Sequence, residues 1–361
     1  MRTVLFDQST YPPAHNLSDH FREIKIGRDS EHKMIKELTA LDLVFPALED
    51  FEALNILKNI DNKISPPIVF DWEAYNVTRS KKKSREFFAR YNLPRALPWP
   101  QAEFPVIIKP SESSGSQYVY KAENISELKK RQSEFSLRDS ELIIEEYLSG
   151  PAYSMEVIAA EGNIHTFLPT RLKFADDYDC CQVLAGEMIP EKISRNLNIL
   201  AKKCADRLNL QGIMDLEVIA SERGLKIMEI DARFPSQTPI TVYEAGGSNM
   251  VEVLARKFLQ SSSQEIGDVL DNKASESHSG RSVIYEQIKI EGGQVNTAGE
   301  HIISRSRNLR LENNFFEADK AITNYTPGSS DWQAILIFTG DDIDTVREKR
   351  KKTFNSIKKV I

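Results

Sequence analysis

Gly224-Leu-Lys-Ile-Met-Glu-Ile-Asp-Ala-Arg-Phe-Pro-Ser-Gln-Thr-Pro239 sets two carboxylates and a guanidinium at alternating positions of an apolar strand. In an extended chain side chains alternate faces, so Glu229, Asp231 and Arg233 point one way, while Ile227, Met228, Ile230 and Ala232 are available for burial. Acids and a base on a buried strand need compensating charge, so the stretch asks for a divalent cation and an anionic substrate beside it. Just upstream, Gly212-Ile-Met-Asp-Leu-Glu-Val-Ile-Ala220 puts Asp215 and Glu217 on one face by the same alternation. Ser221-Glu-Arg-Gly224 joins the two strands as a hairpin, with glycine where a positive φ is needed, and antiparallel pairing then brings Glu217 close to Glu229. A solvated hairpin laced with salt bridges is the plain alternative for one carboxylate pair. Magnesium, commonly held by one or two carboxylates plus substrate phosphates, fits the whole set better.

At 361 residues the chain exceeds a single core and divides into two or three structural units. Its 40% hydrophobic and 28% charged residues are ordinary globular composition, and the formal charge of -6 without a basic, aromatic-studded stripe argues against nucleic-acid binding. Three cysteines, two adjacent at Cys180 and Cys181, make neither a disulfide framework nor a CxxC metal site, so a reduced cytosol is the natural compartment. With no charged-then-apolar leader and no apolar run of membrane-spanning length, the expectation is a cytoplasmic protein without membrane partners.

Residues 1–75 alternate strand and helix. Val4 to Phe6, Phe21 to Ile26, Asp42 to Pro46 and Pro66 to Phe70 read as strands, Glu31 to Leu41 and Glu49 to Ile60 as helices, which together predict a small parallel α/β unit. A basic helix over Ser80 to Tyr91 follows. Phe104-Pro-Val-Ile-Ile-Lys109-Pro110 is an apolar strand that delivers a lysine into Ser111-Glu-Ser-Ser-Gly-Ser-Gln117. A lysine leaving a buried strand into a Ser/Gly turn is the arrangement expected around nucleotide phosphates, although GxxxxGK[ST] is absent. Leu142-Ile-Ile-Glu-Glu-Tyr-Leu-Ser-Gly150 reads as a buried strand running into a hinge whose backbone can meet a flat heterocycle. Tyr153-Ser-Met-Glu-Val-Ile158 places Ser154 and Glu156 on one face, with an outward polar face as the alternative. The loop Phe174 to Gln182 is acidic and aromatic, either a cover over the site or a surface turn, and His165 reads as structural. Ile193 to Leu208 and Asn249 to Leu259 read as helices, with Cys204 in the core. Ser261 to Gly280 reads as a Ser-rich linker, Arg281 to Ile290 and Ala334 to Phe338 as strands, and Asp344 to Val360 as a closing basic helix.

Over about Ser80 to Glu252 the chain resembles the ATP-grasp ligases. The resemblance rests on Lys81 thirteen residues before Pro94, Pro105-Val-Ile-Ile-Lys109-Pro110, Glu145-Glu-Tyr-Leu148 followed by Gly150, and Glu217 with Glu229-Ile-Asp-Ala-Arg233, all in the right order. Phe70-Asp-Trp-Glu-Ala-Tyr75, Lys81-Lys-Lys-Ser84, Gly212-Ile-Met-Asp215 and Glu229 to Pro239 resemble the branch that joins 3-methyl-D-ornithine to L-lysine in pyrrolysine biosynthesis. Asp231, where most of the superfamily has asparagine, points the same way. The resemblance implies an α/β ATP-grasp fold, two α+β subdomains clasping ATP, preceded by a Rossmann-like N-terminal domain. The boundaries expected are 1–75 for that domain, 76–105 for a connecting helix and linker, 106–160 for the small subdomain and 161–361 for the large one.

It further implies Lys81, Lys109, Ser113 and Ser114 on ATP phosphates, and Glu145, Glu146, Tyr147 and Leu148 on adenine. Glu217, Glu229 and Asp231 are implied on two Mg²⁺ ions, with Mn²⁺ as a substitute. Arg233 would hold an acyl phosphate or tetrahedral oxyanion. Desolvated ammonium groups of basic amino acids need acids not tied to metal, and Glu156, Asp179 and Ser154 are the expected partners, with Ser236 and Gln237 reading polar groups. The partners expected are thus ATP, L-lysine and 3-methyl-D-ornithine, with a homodimer as the expected assembly. Two departures bear on activity: Gly150-Pro-Ala152 carries Ala152 where the family often has a glutamate for the ribose, and the N-terminal domain is expected to lack its first strand and glycine-rich turn. An ATP-grasp ligase for another amino acid or a purine precursor, and a catalytically idle nucleotide-binding subunit, are the competing readings.

Overall fold

The protein's computed structural model describes residues 2–112, 116–136, 141–186, 189–259, 280–299, 301–304 and 306–361. Its contacts divide the chain into one unit of Asp71–Cys180 with Ile189–Thr238, and another of Met1–Phe70, Cys181–Met188 and Pro239–Ile361. These divisions differ from the boundaries expected at 75, 105 and 160. Strand Ala152–Ala160 pairs with Ile213–Ser221 along most of its length, so a cut at residue 160 separates neighbours in one sheet. The helix Lys81–Arg90, expected as a connector, packs against strand Gly224–Asp231.

The unit that carries the acidic strands holds an antiparallel run in the order Gly224–Asp231, Ile213–Ser221, Ala152–Ala160, Thr170–Phe174, with Asn163–Thr166 also paired to Ala152–Ala160. Met214, Leu216 and Val218 are fully buried, as are Leu197, Ala201 and Cys204 of the helix Glu191–Leu208 that packs on this sheet. Burial pushes the Cys204 thiol up to about 12, as befits a core residue. The hairpin closes at Ser221 and Gly224, whose φ of +95° suits glycine. Gly150 is needed for a different reason: a Cβ there would lie 2.2 Å from the Ala220 carbonyl oxygen.

A β-bulge decides what the central strand does with its acids. Glu217 pairs with Glu229, but the next residue, Val218, pairs with Ile227, so Met228 is the extra residue. Strict alternation would leave Ile227 on the same face as Glu229. The bulge breaks the alternation between them, and Ile227 is fully buried.

In the same unit Tyr120–Ala122, Val106–Pro110 and Leu142–Glu146 form a second antiparallel sheet, whose core of Val106, Ile108 and Ala122 is closed by Leu128 and Phe135 of the helix Ile125–Ser136. Ser80 caps the helix Lys81–Arg90 by accepting from the Lys83 N–H at 3.4 Å.

In the other unit Ser282–Glu291 pairs with Trp332–Gly340, followed by Ala318–Thr323 and Arg310–Phe315. The helix Ile343–Ile357 packs on them through Val346 and Ile357, and its Arg350 holds the buried Glu286 with two hydrogen bonds. The N-terminal segment only partly matches the expected α/β pattern. Val4–Asp7 runs parallel to His20–Glu23, but Asp42 to Pro46 and Pro66 to Phe70 reduce to one parallel bridge, Val44 with Ile68. Pro66 and Pro67 lack the N–H donors that a ladder requires. Helix Met250–Leu259 lies within the stretch expected to be helical, while the Ser-rich linker up to residue 279 lies outside the described residues. Among the described residues no helix is long and apolar enough to cross a membrane.

One side chain ties the start of the site-bearing unit together. Asp71 Oδ1 accepts from the Ala74 N–H at 2.9 Å, capping the helix Trp72–Thr78, and Oδ2 accepts from the Gln211 N–H at 2.6 Å, beside the strand that carries Asp215. Asp71→Ala is expected to lower unfolding free energy by about 1–3 kcal/mol. The check is a urea melt, in which the midpoint should fall with an unchanged slope, and a shift of a few tenths of a kcal/mol would mean that Asp71 braces nothing.

Candidate active site

The antiparallel register lays two polar rows across neighbouring strands of one sheet face. One row runs Ser154, Glu217, Glu229; the other runs Glu156, Asp215, Asp231. Ser154 and Glu156 are fully buried, and the Ser154 hydroxyl donates to Glu156 Oε1 at 3.2 Å. The sequence expectation that antiparallel pairing brings Glu217 close to Glu229 therefore holds, and the bulge sets the two directly opposite.

A cluster of cations meets the Glu229 end of the first row. Lys81 Nζ lies 3.2 Å from Glu229 Oε1, and the Lys81 N–H donates to the Ser111 carbonyl at 2.8 Å, anchoring the helix start beside the end of strand Val106–Pro110. Lys109 Nζ lies 2.7 Å from Glu145 Oε1. Arg85 grips the same carboxylate with two hydrogen bonds, 2.5 and 2.7 Å, and donates at 2.9 Å to the carbonyl of the bulged Met228. Burial alone would raise the Glu145 carboxyl, but the Lys109 and Arg85 charges and their hydrogen bonds bring it down to about 2. Burial also opposes the Arg85 guanidinium, yet Glu145 outweighs it and raises its pKa. At Lys109 burial wins, and the ammonium sits below the usual lysine range. Glu229 is held below the usual carboxylate range because Lys81 and Lys109 outweigh its burial.

The second row behaves differently. Burial, then the charges of Glu217 and Asp231, drives the Asp215 carboxyl well above the carboxylate range, with Arg233 opposing. Burial pushes Glu156 up to about 7. Arg233 Nε lies 2.7 Å from Asp231 Oδ2, so the guanidinium stays on the strand's acidic face, as the alternation predicts.

The remaining expected residues are placed unevenly. Glu145 reaches Lys109 and Arg85, so its side chain is engaged with cations. The N–H groups of Glu146 and Tyr147 donate to the carbonyls of Leu97 and Pro105 at 2.8 and 3.1 Å. Tyr147 carries the Lys121 ammonium 4.3 Å from its ring centroid, and Leu148 follows at the half-buried hinge. Asp179 closes a tight turn in which the Ala175 N–H donates to its carbonyl at 2.9 Å. Ser236 is exposed, while Gln237 is buried and its amide donates to the Cys180 carbonyl at 3.4 Å. Ser113 and Ser114 lie outside the described residues.

Sequence reasoning did not assign Arg85 to the site. The available signal was its position four residues after Lys81, which puts both on one face of the helix. Asp215 was recognised as a neighbour of Glu217 but given no role.

The donor chemistry fits magnesium. Oxygen donors from Glu217, Glu229, Asp215 and Asp231 concentrate on paired strands, and after burial the neighbouring carboxylates add to the rise at Asp215. Among the described residues no group of three His, Cys, Asp or Glu side chains is already gathered as a ligand set; Glu229 and Asp231 are instead drawn to Lys81 and Arg233.

The fold and this meeting of lysines with paired carboxylates define an ATP-grasp protein, and a family model described as an ATP-grasp domain matches residues 79–237. The 3-methyl-D-ornithine–L-lysine ligase of Methanosarcina mazei is 30% identical over 362 residues, covering 99% of this chain and 90% of that protein. Its counterpart from Methanosarcina barkeri is 31% identical over 310 residues, covering 84% and 78%. The chain belongs to the 3-methyl-D-ornithine–L-lysine ligase family. Solved structures agree on the fold: the biotin carboxylase domain of Hydrogenobacter thermophilus 2-oxoglutarate carboxylase, crystallised with MgADP, ADP and bicarbonate, matches with a TM-score of 0.72 at 14% identity, covering 98% of this chain and 84% of that one. The L-amino acid ligase of Bacillus licheniformis matches with a TM-score of 0.67 at 13% identity, covering 99% and 91%.

The Glu156 carboxyl gives a pH test. Its folded pKa of about 7 lies above the ordinary 4.5, so between those values the unfolded chain ionises while the folded one keeps the proton. Ionisation therefore destabilises the ligand-free protein progressively as pH rises from about 4.5 to about 7, by about 3 kcal/mol in full. Glu156→Gln should overtake the wild type across that window in urea melts at a series of pH values. A difference that stays flat with pH would show an ordinary, ionised Glu156.

Proposed function

We propose that this chain is an ATP-dependent carboxylate–amine ligase that joins 3-methyl-D-ornithine to the ε-amine of L-lysine through an acyl phosphate. The observation that carries the reading is the Lys81 ion pair to Glu229, with Lys109 close enough to help lower the Glu229 pKa, in a chain of this family.

The chemistry follows from charge. A carboxylate is a poor electrophile. Transfer of the γ-phosphoryl group of ATP to the carboxylate oxygen of 3-methyl-D-ornithine releases ADP and gives an acyl phosphate. The neutral ε-amine of lysine adds to its carbonyl carbon, the C–O bond to phosphate breaks, and the amine gives up a proton as the amide forms. Lys81 and Lys109 would neutralise the phosphates, together with the loop of Ser113 and Ser114, and the hinge of Glu145 to Leu148 would present its backbone to adenine. Glu217, Glu229 and Asp231 would hold two magnesium ions, which supply neutralisation of the phosphate charge. Lys81 and Glu229 hold one another in place in the ligand-free protein, and would serve phosphate and metal respectively. Arg233, one position pair beyond Asp231 on the same face, would hold the oxyanion with its rigid fork. Ser154, Glu156, Asp179, Ser236 and Gln237 would meet the amino acids. The setting proposed is the cytosol, with a homodimer as the assembly.

Incubation with ATP, Mg²⁺, L-lysine and 3-methyl-D-ornithine should yield, by mass spectrometry, a product whose mass is the sum of the two amino acids less water, with one ADP and one phosphate released per product. ATP binding without amine-dependent phosphate release would instead mark an idle nucleotide-binding subunit. Turnover restricted to other acids or amines would mark a ligase of different substrate.

Arg233→Ala should lower kcat by about 10²–10³-fold while the KM for ATP changes little. Steady-state kinetics in which the loss falls instead on the KM for ATP would move Arg233 to the nucleotide.

A further inference from the structure

Beside the assigned residues the same sheet face carries two buried polar atoms without a hydrogen-bond partner, Glu156 Oε2 and Thr170 Oγ1, and Thr238, the first residue of the helix Thr238–Gly246, brings its hydroxyl beside Glu156. Thr170 opens the strand Thr170–Phe174 and pairs directly with Ser154, so the first row extends to Thr170, Ser154, Glu217, Glu229. Cross-strand partners share a face, and Ser154 is bonded to Glu156, so the Thr170 hydroxyl lies on the face that Glu156 occupies. Thr170 is fully buried and Thr238 is 6% exposed, and the Thr238 hydroxyl lies close enough to Glu156 to oppose, by hydrogen bonding, the rise that burial gives its carboxyl.

Each such orphan costs free energy in the folded state, since a hydroxyl or carboxylate removed from water loses its hydration and gains nothing in return. One orphan in a protein is ordinary. Two on one face, on either side of Ser154 and with the Thr238 hydroxyl at hand, mark atoms kept in reserve for a ligand.

The chemistry of the reserve selects the ligand. The oxygens of Thr170, Thr238 and Glu156 can all accept hydrogen bonds, one of them on a carboxyl group, and the two rows beside them hold Asp215, Glu217, Glu229 and Asp231. A negative field and several acceptors suit a group with several N–H donors and a positive charge, which is a primary ammonium. A second magnesium site is the weaker fit, because two of the three atoms are neutral hydroxyls and Mg²⁺ prefers carboxylates, phosphates and water.

We propose that Thr170 is a specificity-determining residue of this site: its hydroxyl, with that of Thr238 and with Glu156 Oε2, receives a primary ammonium group of the basic amino-acid substrate. This rests on the ligase reading and extends it to a residue on a strand that no sequence motif touches.

The test compares Thr170→Val, which keeps the shape and removes the hydroxyl, with Thr170→Ser, which keeps the hydroxyl. Thr170→Val should raise the KM for one of the two amino acids by about 5–20-fold and leave the KM for ATP and for the other amino acid within about twofold. Thr170→Ser should stay close to wild type. The ligand-free melting temperature of Thr170→Val should equal or exceed that of wild type, because an unpartnered buried hydroxyl has been removed. A clear drop in melting temperature, or failure of Thr170→Val to fold while Thr170→Ser folds, would show a structural hydroxyl and overturn the proposal. So would unchanged KM values for both amino acids. Wild-type enzyme is assayed alongside: product from wild type with no Val defect defeats the Thr170 assignment alone, whereas no product from wild type defeats the ligase reading beneath it.

Discussion

Carboxylates repel one another, and an antiparallel register that sets Glu217 against Glu229 and Asp215 against Asp231 holds that repulsion in place. No rotamer change relieves it fully, because the backbone ladder fixes the spacing of the strands at about 5 Å. Everything else in this region responds to it. Lys81 arrives from a helix start and pairs with Glu229, Arg233 folds back onto Asp231, and Asp215, buried first and then set between neighbours of like charge, keeps its proton more readily than an ordinary aspartate. A protein that needed only a stable hairpin would replace these acids with threonine or valine and be more stable for it.

The cations carry their own cost, and the structure distributes it. Lys109 is 6% exposed at the end of a strand whose Val106 and Ile108 are fully buried, a setting that disfavours an ammonium. Glu145 makes that position tenable, and Arg85 in turn fixes Glu145 by a two-pronged grip that a lysine could not reproduce. The same guanidinium reaches the carbonyl of Met228, a residue without a cross-strand partner because the bulge interrupts the ladder there. One irregularity in a strand thus does two things: it lets Ile227 enter the core despite sharing parity with the acids, and it presents the strand to the helix that carries both Arg85 and Lys81.

These details separate what the amino-acid sequence reveals from what it conceals. Period-two alternation and the Ser221–Gly224 turn suffice to bring Glu217 close to Glu229, but a regular ladder from that turn would set Glu217 opposite Met228, and it is the bulge that shifts the register by one and sets Glu217 directly opposite Glu229. Lys109 is legible as a charged residue ending an apolar run. The bulge is not, since nothing in Lys-Ile-Met-Glu distinguishes a bulged strand from a regular one, and without it neither the burial of Ile227 nor the target of Arg85 can be foreseen. Thr170 is hidden for another reason: its partnership with Ser154 comes from strand pairing across an intervening hairpin, and a lone threonine after proline carries no signal of its own. In the N-terminal segment, apolar runs read as strands, but adjacent prolines removed the donors that would have made Pro66 to Phe70 more than a single bridge.

The two rows also differ along their length in a way that matters for a reaction between an anion and two cationic amino acids. Toward strand Gly224–Asp231, lysine and arginine pair with the acids, which suits phosphates and metal ions: each arriving charge can exchange with one already present, so little new desolvation is required. Toward strand Ala152–Ala160, burial governs instead, and Glu156 rests with its pKa near neutrality. A carboxyl group in that state is cheap to keep buried while the site lacks substrate, and it ionises when a cation comes close enough to compensate. An ammonium group thereby creates the counter-charge it binds to, whereas a neutral side chain of the same size leaves the carboxyl protonated and gains no such attraction. On the reading proposed above, selectivity for basic amino acids on this face would follow from burial of the acid rather than from the number of acids, and the hydroxyls beside it would set the direction of the ammonium.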